Sequence, residues 1–417
     1  MSRLNLLRWG AIAAVLAIVS AVGALSQNNS NSGVNSGPNG EQLASTGWRV
    51  AEPISYKNMS IFPVVSDRRA SAGTGQFTTL DEALSSGEAV IKEHKHELTA
   101  ARRHGQPPEQ ESASVGELVL IYHGSKQLLL LAGELVQGGG QDRIIYEDRI
   151  VPAGSDPLPL DVFCVEQGRW SSGEYFASGR MMVHPSVREK AAVDREQTKV
   201  WQAVLAGSTA PAAAGGLAAG AASTTENAQE SAGEAALVVS ATPPPISTAT
   251  VTVSAQTVNA IVSTEASTKS YARIYRSSRV ENSAHPFAKE IEKRFSERVA
   301  ELKGERVVGV VVAYGSDMSW SDIFASPELF ERYWPKLRRS YVVEALARPQ
   351  TNEQPSLDDA AAFLQSLDGP GTAENGSSDY NLWRVMQQQY VQIDLEALRP
   401  APIDLHRVKI HRTAIAQ

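Results

Sequence analysis

The chain lacks most of the features that announce a stabilising or catalytic scheme. Among 417 residues there is one cysteine, Cys164, which excludes an intrachain disulfide in any compartment and leaves packing to hold the fold. No His-Glu-x-x-His segment, Gly-x-Ser-x-Gly elbow or Gly-x-Gly-x-x-Gly fingerprint occurs, so zinc peptidases, elbow-type serine hydrolases and dinucleotide-binding enzymes have no support. Positive charge is in short supply: 39 Lys and Arg face 46 Asp and Glu, a formal charge of −7. That balance argues against nucleic acid or anionic lipid as the main partner. Beyond the N-terminus, no apolar run reaches the length that spans a bilayer.

The N-terminus itself is informative. Arg3 and Arg8 precede an apolar run over residues 10–24, and Ala24-Leu25-Ser26 places small residues where a signal peptidase cuts. Residues 1–26 therefore predict a signal peptide and an extracytoplasmic, secreted or periplasmic protein. The alternative is an uncleaved anchor, since residues 6–25 are long enough to span, and only then would the membrane be a partner.

Residues 27–47 are rich in Asn, Ser and Gly and predict a flexible tether. A β-rich first half is expected over 48–206, an Ala, Gly, Ser, Thr and Pro insertion over 207–250, and an α+β second half over 251–417. In the first half, residues 54–64 read as strand, turn and strand. Thr79 with Glu82 reads as a capping box for a short helix stopped by Gly87. Residues 97–114 read as a polar loop. Residues 117–122 and 127–135 read as a hairpin, and 142–151 and 158–166 as further strands.

Residues 185–205 read as helical, and Phe287, Ile291, Phe295, Val299 and Leu302 form an amphipathic stripe ended by Gly304. Residues 307–314 form a valine-rich run expected to be buried on both faces. Ser326 and Pro327 open a helix in which Pro335 predicts a kink or a split. Ser356 with Asp359 caps a shorter one, and residues 382–395 and 405–410 close as strands. The fold class expected is α+β, with an antiparallel β-sheet or sandwich core and helices packed against it.

Chemistry concentrates in residues 133–143 and 164–170, where acids, arginines and a thiol gather at strand ends. The candidate ligand-binding residues are Gln141, Arg143, Arg169 and Trp170. Arginine grips phosphate or carboxylate bidentately, and an indole offers a stacking face. Glu166, Glu134 and Cys164 are the candidate catalytic residues. Each has a plainer reading: Cys164 as a buried inert thiol between apolar neighbours, Glu166 and Arg169 as a structural pair plugged by Trp170. Gly138-Gly139-Gly140 reads as a turn rather than a phosphate loop, for no Lys-Ser or Lys-Thr follows. His94 and His96 alternate on one strand face, but no third ligand has metal-site spacing, so no metal is expected. Arg332, Lys336, Arg338 and Arg339 read as a solvated helix face.

These residues are also similar to a known family. The Phe62-Pro63 strand, Thr79-Leu80-Asp81-Glu82-Ala83-Leu84, Gly133-Glu134 leading to Gln141 and Arg143, Val151-Pro152, and Cys164-Val165-Glu166-Gln167-Gly168-Arg169-Trp170 carry the likeness. The chain resembles the family named for association with ADP-ribosylglycohydrolases and rhodanese-phosphatases. Gln197, Val200 and Trp201 fit its first half, and Ser326 to Phe330 with Trp334 to Leu337 its second. The resemblance carries no activity and no particular cofactor with it. Its name implies proximity to ADP-ribose and nucleotide chemistry, which is association, not mechanism.

The expected role is recognition of a small anionic, nucleotide-like ligand at the strand ends. A hydrolase acting on an ADP-ribose-like or phosphorylated substrate is the second class, with Glu166 or Glu134 as general acid or base. A non-catalytic envelope interaction protein is the third.

Overall fold

The computed structural model describes residues 47–67, 74–94, 116–166, 173–206, 278–367 and 371–412. The leader, the tether before Gly47, the 97–114 loop, His96, Arg169, Trp170 and the 207–250 insertion lie outside the described residues.

The fold is α+β, and its largest layer is a nine-stranded antiparallel sheet. Strand β1 (Trp48–Val50) lies at one edge, followed by β3 (Met59–Ser66), β13 (Arg306–Tyr314), β14 (Asp317–Phe324), β18 (Ile403–His411), β17 (Tyr390–Ala397), β16 (Tyr380–Gln387) and β15 (Thr372–Gly376). Strand β2 (Ile54–Tyr56) also pairs with β3. Strand β3 sits between β1 and β13, so early and late segments share one sheet. As its valines predict, β13 is covered on both faces. Val310 and Val312 join the main core, while Val311 and Ala313 pack with Phe363 and Leu364 of α6 (Leu357–Leu364).

A second layer is a closed six-stranded barrel. Its order is β11 (Leu158–Cys164), β6 (Glu117–Tyr122), β5 (Ala89–Glu93), β12 (Tyr175–Met182), β8 (Glu134–Gly138) and β9 (Arg143–Ile145), with β9 returning to β11. Alternate residues of β6 fill it: Leu118, Leu120 and Tyr122 are buried with Ile91, Val136, Leu160 and Phe176. A third sheet holds β10 (Arg149–Val151), β7 (Gln127–Leu130) and β4 (Phe77–Thr79), the last two parallel.

The expected hairpin of residues 117–135 does not form. Strand β6 pairs with β5 and β11, and β7 pairs with β10 and β4. The physical reason is in the patterns: β6 alternates, whereas Leu128, Leu129 and Leu130 are all buried, which one barrel wall cannot provide. Gly133, at φ 88°, then turns the chain into β8. Residues 142–151 likewise divide, β9 to the barrel and β10 to the small sheet.

The capping boxes at Thr79 and Ser356 are present, opening α1 (Leu80–Ser86) and α6. Residues 185–205 break into α2 (Pro185–Glu189), a π-helical turn (Lys190–Asp194) and α3 (Gln197–Ala206). The amphipathic stripe lies on α4 (Ser278–Glu301). Helix α5 (Pro327–Ala347) runs unbroken through Pro335, because Leu329, Phe330, Tyr333, Leu337 and Tyr341 bury one continuous face. It packs on α4 through Phe295 and Trp334, ring centroids 4.3 Å apart. Among the described residues no helix is long and apolar enough to cross a membrane.

Candidate functional site

A trough of about 620 Å³ runs along the outer side of α5, within the volume range of small-molecule sites. Arg332, Pro335, Lys336 and Arg339, spaced i, i+3, i+4 and i+7, form its floor, with Arg338 toward one side. One wall is Asp81, Glu82 and Ser85 of α1 with Arg180 of β12, and the other is Glu281, Ala284, His285 and Ala288 of α4. Ion pairs tie the floor to the walls. Arg332 Nε donates to Glu82 Oε1 at 2.9 Å, Lys336 Nζ donates to Asp81 Oδ2 at 2.9 Å and to Glu134, Arg339 pairs with Glu281 and Arg338 with Glu292. Burial opposes ionisation of Glu82, yet the Arg332 guanidinium and the Thr79 cap bring its carboxyl down to about 2.

The expected solvated face is thus corrected at its centre. Lys336 is 5% exposed and lies below the trough, held by carboxylates from α1 and β8. Its burial disfavours charge, but Glu134 and Asp81 outweigh that and raise its pKa. Burial raises Glu134, against the pull of Lys336 and with help from Asp81. Glu134 Oε2 also accepts the Leu131 amide at 2.7 Å.

Arg180 differs from the other cations in this lining. It sits at a β-bulge between Ser178 and Met182 of β12, with φ 48°, a conformation that costs an L-residue roughly 1–2 kcal/mol. Gly179 makes the bulge possible, since a Cβ there would come within 2.7 Å of Leu135 O. The exposed Arg180 guanidinium donates to Ser85 Oγ at 3.3 Å. Sequence reasoning missed Arg180. The available signal was a glycine inside a strand, which marks bulges and close backbone approaches.

The strand-end candidates occupy another place, at one end of the barrel. Arg143 and Cys164 are cross-strand partners, and Arg143 Nη1 donates to Gln141 O at 2.7 Å with Nη2 3.8 Å from Glu93. Glu166 accepts the Asp142 amide at 2.9 Å. Glu93 and Asp142 accept the Gly140 and Gly138 amides, at 2.6 and 3.1 Å, fixing a turn in which Gly138 and Gly139 have positive φ. Gln197 clamps the Cys164 backbone, accepting its amide at 2.8 Å and donating to its carbonyl at 2.7 Å. Burial pushes the Cys164 thiol up to about 11, with Arg143 opposing and Glu93 and Glu166 adding to it. Arg143, Cys164 and Glu166 are therefore neighbours, while Glu134 is directed away onto Lys336. His94 Nδ1 meets Glu117 Oε1 at 2.5 Å, and the described residues hold no group of metal-binding geometry.

A third constellation is wholly internal. His406 Nδ1 is 2.5 Å from Asp148 and its Nε2 3.1 Å from Asp322. Asp322 also accepts from Arg188 and Trp320, each at 2.8 Å, and from Tyr341. Arg188 Nε donates to Ala132 O at 2.9 Å. Two cations balance two carboxylates there, and the donors and acceptors lock α2, α5, β14 and β18 together.

The family model described as the ARG and Rhodanese-Phosphatase-superfamily-associated Protein domain, ARPP-1, matches residues 47–411. The chain belongs to this family. The match includes the trough, the barrel end and the internal network alike. No curated protein and no solved structure matches the chain.

Proposed function

We propose that the protein recognises a small anionic ligand, up to nucleotide size, in the trough above α5. The observation that carries this reading is Arg180. A strained backbone persists only where the surroundings enforce it, and this one presents an exposed guanidinium in a trough whose other arginines and lysine already hold carboxylates. Guanidinium groups are suited to phosphate and carboxylate oxygens. The reading moves recognition from the strand ends to the helix-walled trough. An extracytoplasmic setting is part of it, supported by Arg3, Arg8, the 10–24 apolar run and Ala24-Leu25-Ser26.

The test is Arg180→Gly. Glycine relieves the left-handed strain, worth about 1–2 kcal/mol, and loses about 0.5–1 kcal/mol through greater chain entropy, so the net stability change is small. Calorimetric titration of inorganic phosphate, nucleotides, ADP-ribose and phosphorylated sugars is expected to find a binder in the parent and a loss of at least tenfold in the variant. Undiminished binding by Arg180→Gly would overturn the assignment.

A further inference from the structure

We infer that the trough takes an amphipathic ligand: one anionic head group at Arg180 and Ser85, and an apolar body lying across Pro335 against Ala288. This deepens the anion reading and rests on it. The charges on the lining set the number of anionic groups. Arg332 is matched by Glu82, Lys336 by Asp81 and Glu134, Arg338 by Glu292 and Arg339 by Glu281. Among the described residues, Arg180 is the lining cation whose hydrogen bond is to a hydroxyl instead. A second anionic group on the ligand would have to displace Glu82 or Glu281 from its arginine and face the carboxylate it displaced. One anionic group at Arg180 displaces no ion pair, although Asp81 and Glu82 stand on the same wall.

One part of the trough suits carbon. Ala288 is half-buried on the trough side of α4, and Ala284, one helical turn earlier on the same face, is buried in the core beneath it. The Pro335 ring is exposed on the floor between that face and the α1 wall. The Pro335 and Ala288 side chains have no polar atoms to satisfy, and a hydrocarbon laid on them removes apolar surface from water on both partners. Since α5 is bonded to α1 on one side and to α4 on the other, head and body would lie crosswise over the helix. The head can be a phosphate monoester or a carboxylate, because a guanidinium with a neighbouring hydroxyl accommodates either.

The experiment uses the full chain and two homologous series at concentrations below micelle formation: acetate to octanoate, and inorganic phosphate to hexyl phosphate. Affinity is read by calorimetry. In the parent it is expected to rise about threefold to fourfold for each added methylene that is buried, and the tighter series identifies the head group. In Ala288→Asp the rise is expected to flatten while the shortest member of each series keeps its affinity. Ala288→Ser, a milder change on the same half-buried position, should reduce the slope and guards against a folding defect. Arg180→Gly should weaken every member at least tenfold. A flat series in the parent, with short anions still lost on Arg180→Gly, would overturn the amphipathic ligand and leave the anion reading standing. Tighter binding of inorganic pyrophosphate than of any chain would also overturn it. No binding by any probe would overturn both.

Discussion

The imidazole Nε2 of His406 lies 3.1 Å from Asp322 Oδ1, and neither side chain reaches solvent. Burial works against a charged imidazole, but Asp148 and Asp322 outweigh it and raise His406 to about 9. Asp322 moves the other way, for Arg188 and His406 overcome its burial and hold it ionised.

The sign of the pH dependence follows. His406 is raised in the folded state from 6.5 to about 9, so its contribution is fully present below pH 6.5 and lost as pH climbs through 9. The amount is about 3 kcal/mol by linkage. Asp322 contributes above its unfolded pKa and fades as pH falls into the acid range. Lys409, lowered by burial to about 8, opposes the alkaline loss, because its folded-state penalty disappears as it deprotonates. Urea unfolding at pH 6 and at pH 9.5 should therefore be compared between the parent and His406→Gln. The parent should lose stability at the higher pH and the variant should lose much less. An equal alkaline loss in both would refute the role given to His406.

Lys336 and Glu134 make a second stability prediction. Removing the cation by Lys336→Met leaves Glu134 and Asp81 facing each other without a counter-charge, a change that typically costs about 3–5 kcal/mol for buried pairs. Adding Glu134→Gln removes one charge and keeps an acceptor for the Leu131 amide. The double variant should regain a substantial part of the loss in a denaturant titration. Additive losses would mean that the two side chains do not couple.

Cys164 should be slow to react in the native protein. Its thiol is buried and raised to about 11, so little thiolate exists at neutral pH and less is accessible. Labelling with iodoacetamide should be much slower in buffer than in urea. Rapid native labelling would restore the nucleophile reading that the sequence left open.

Local features were legible in the sequence, and long-range partners were not. Thr79 with Glu82, Ser356 with Asp359, and Ser326 with Pro327 read correctly because a helix cap is decided within four residues. The valine run of β13 read correctly because burial on both faces leaves no alternation. The destination of β7 was hidden, since its pairing with β4 and β10 is decided by residues the local pattern does not contain. Lys336 misled for the same reason. On α5 it stands among arginines like any solvated lysine, and only Asp81 and Glu134, 255 and 202 positions away, make it internal. Arg180 was passed over because a bulge is a property of two strands and only its glycine appears in one.

Gly309 offers the sharpest packing test, because it sits where β13 passes closest to β14. It pairs with Ile323 in the register of the two strands, beside the bulge that β13 makes against β3. A Cβ there would stand 2.3 Å from Asp322 O and 2.8 Å from Ile323 Cα, closer than van der Waals contact allows. Both contacts are with strand backbone, which cannot swing aside as a side chain can. Gly309→Ala must therefore push β14 away, and Asp322 carries with it the grip on Arg188 and His406. Overpacking alone costs about 1–3 kcal/mol, and disturbing the internal network adds to it, so a loss of about 3 kcal/mol or more is expected. Gly75→Ala is the control, since nothing lies within 4 Å of a Cβ at that position. Thermal unfolding should separate the two variants widely and leave the control near the parent. If both melt together, the β13–β14 approach at Gly309 is not the constraint that fixes Asp322 in place.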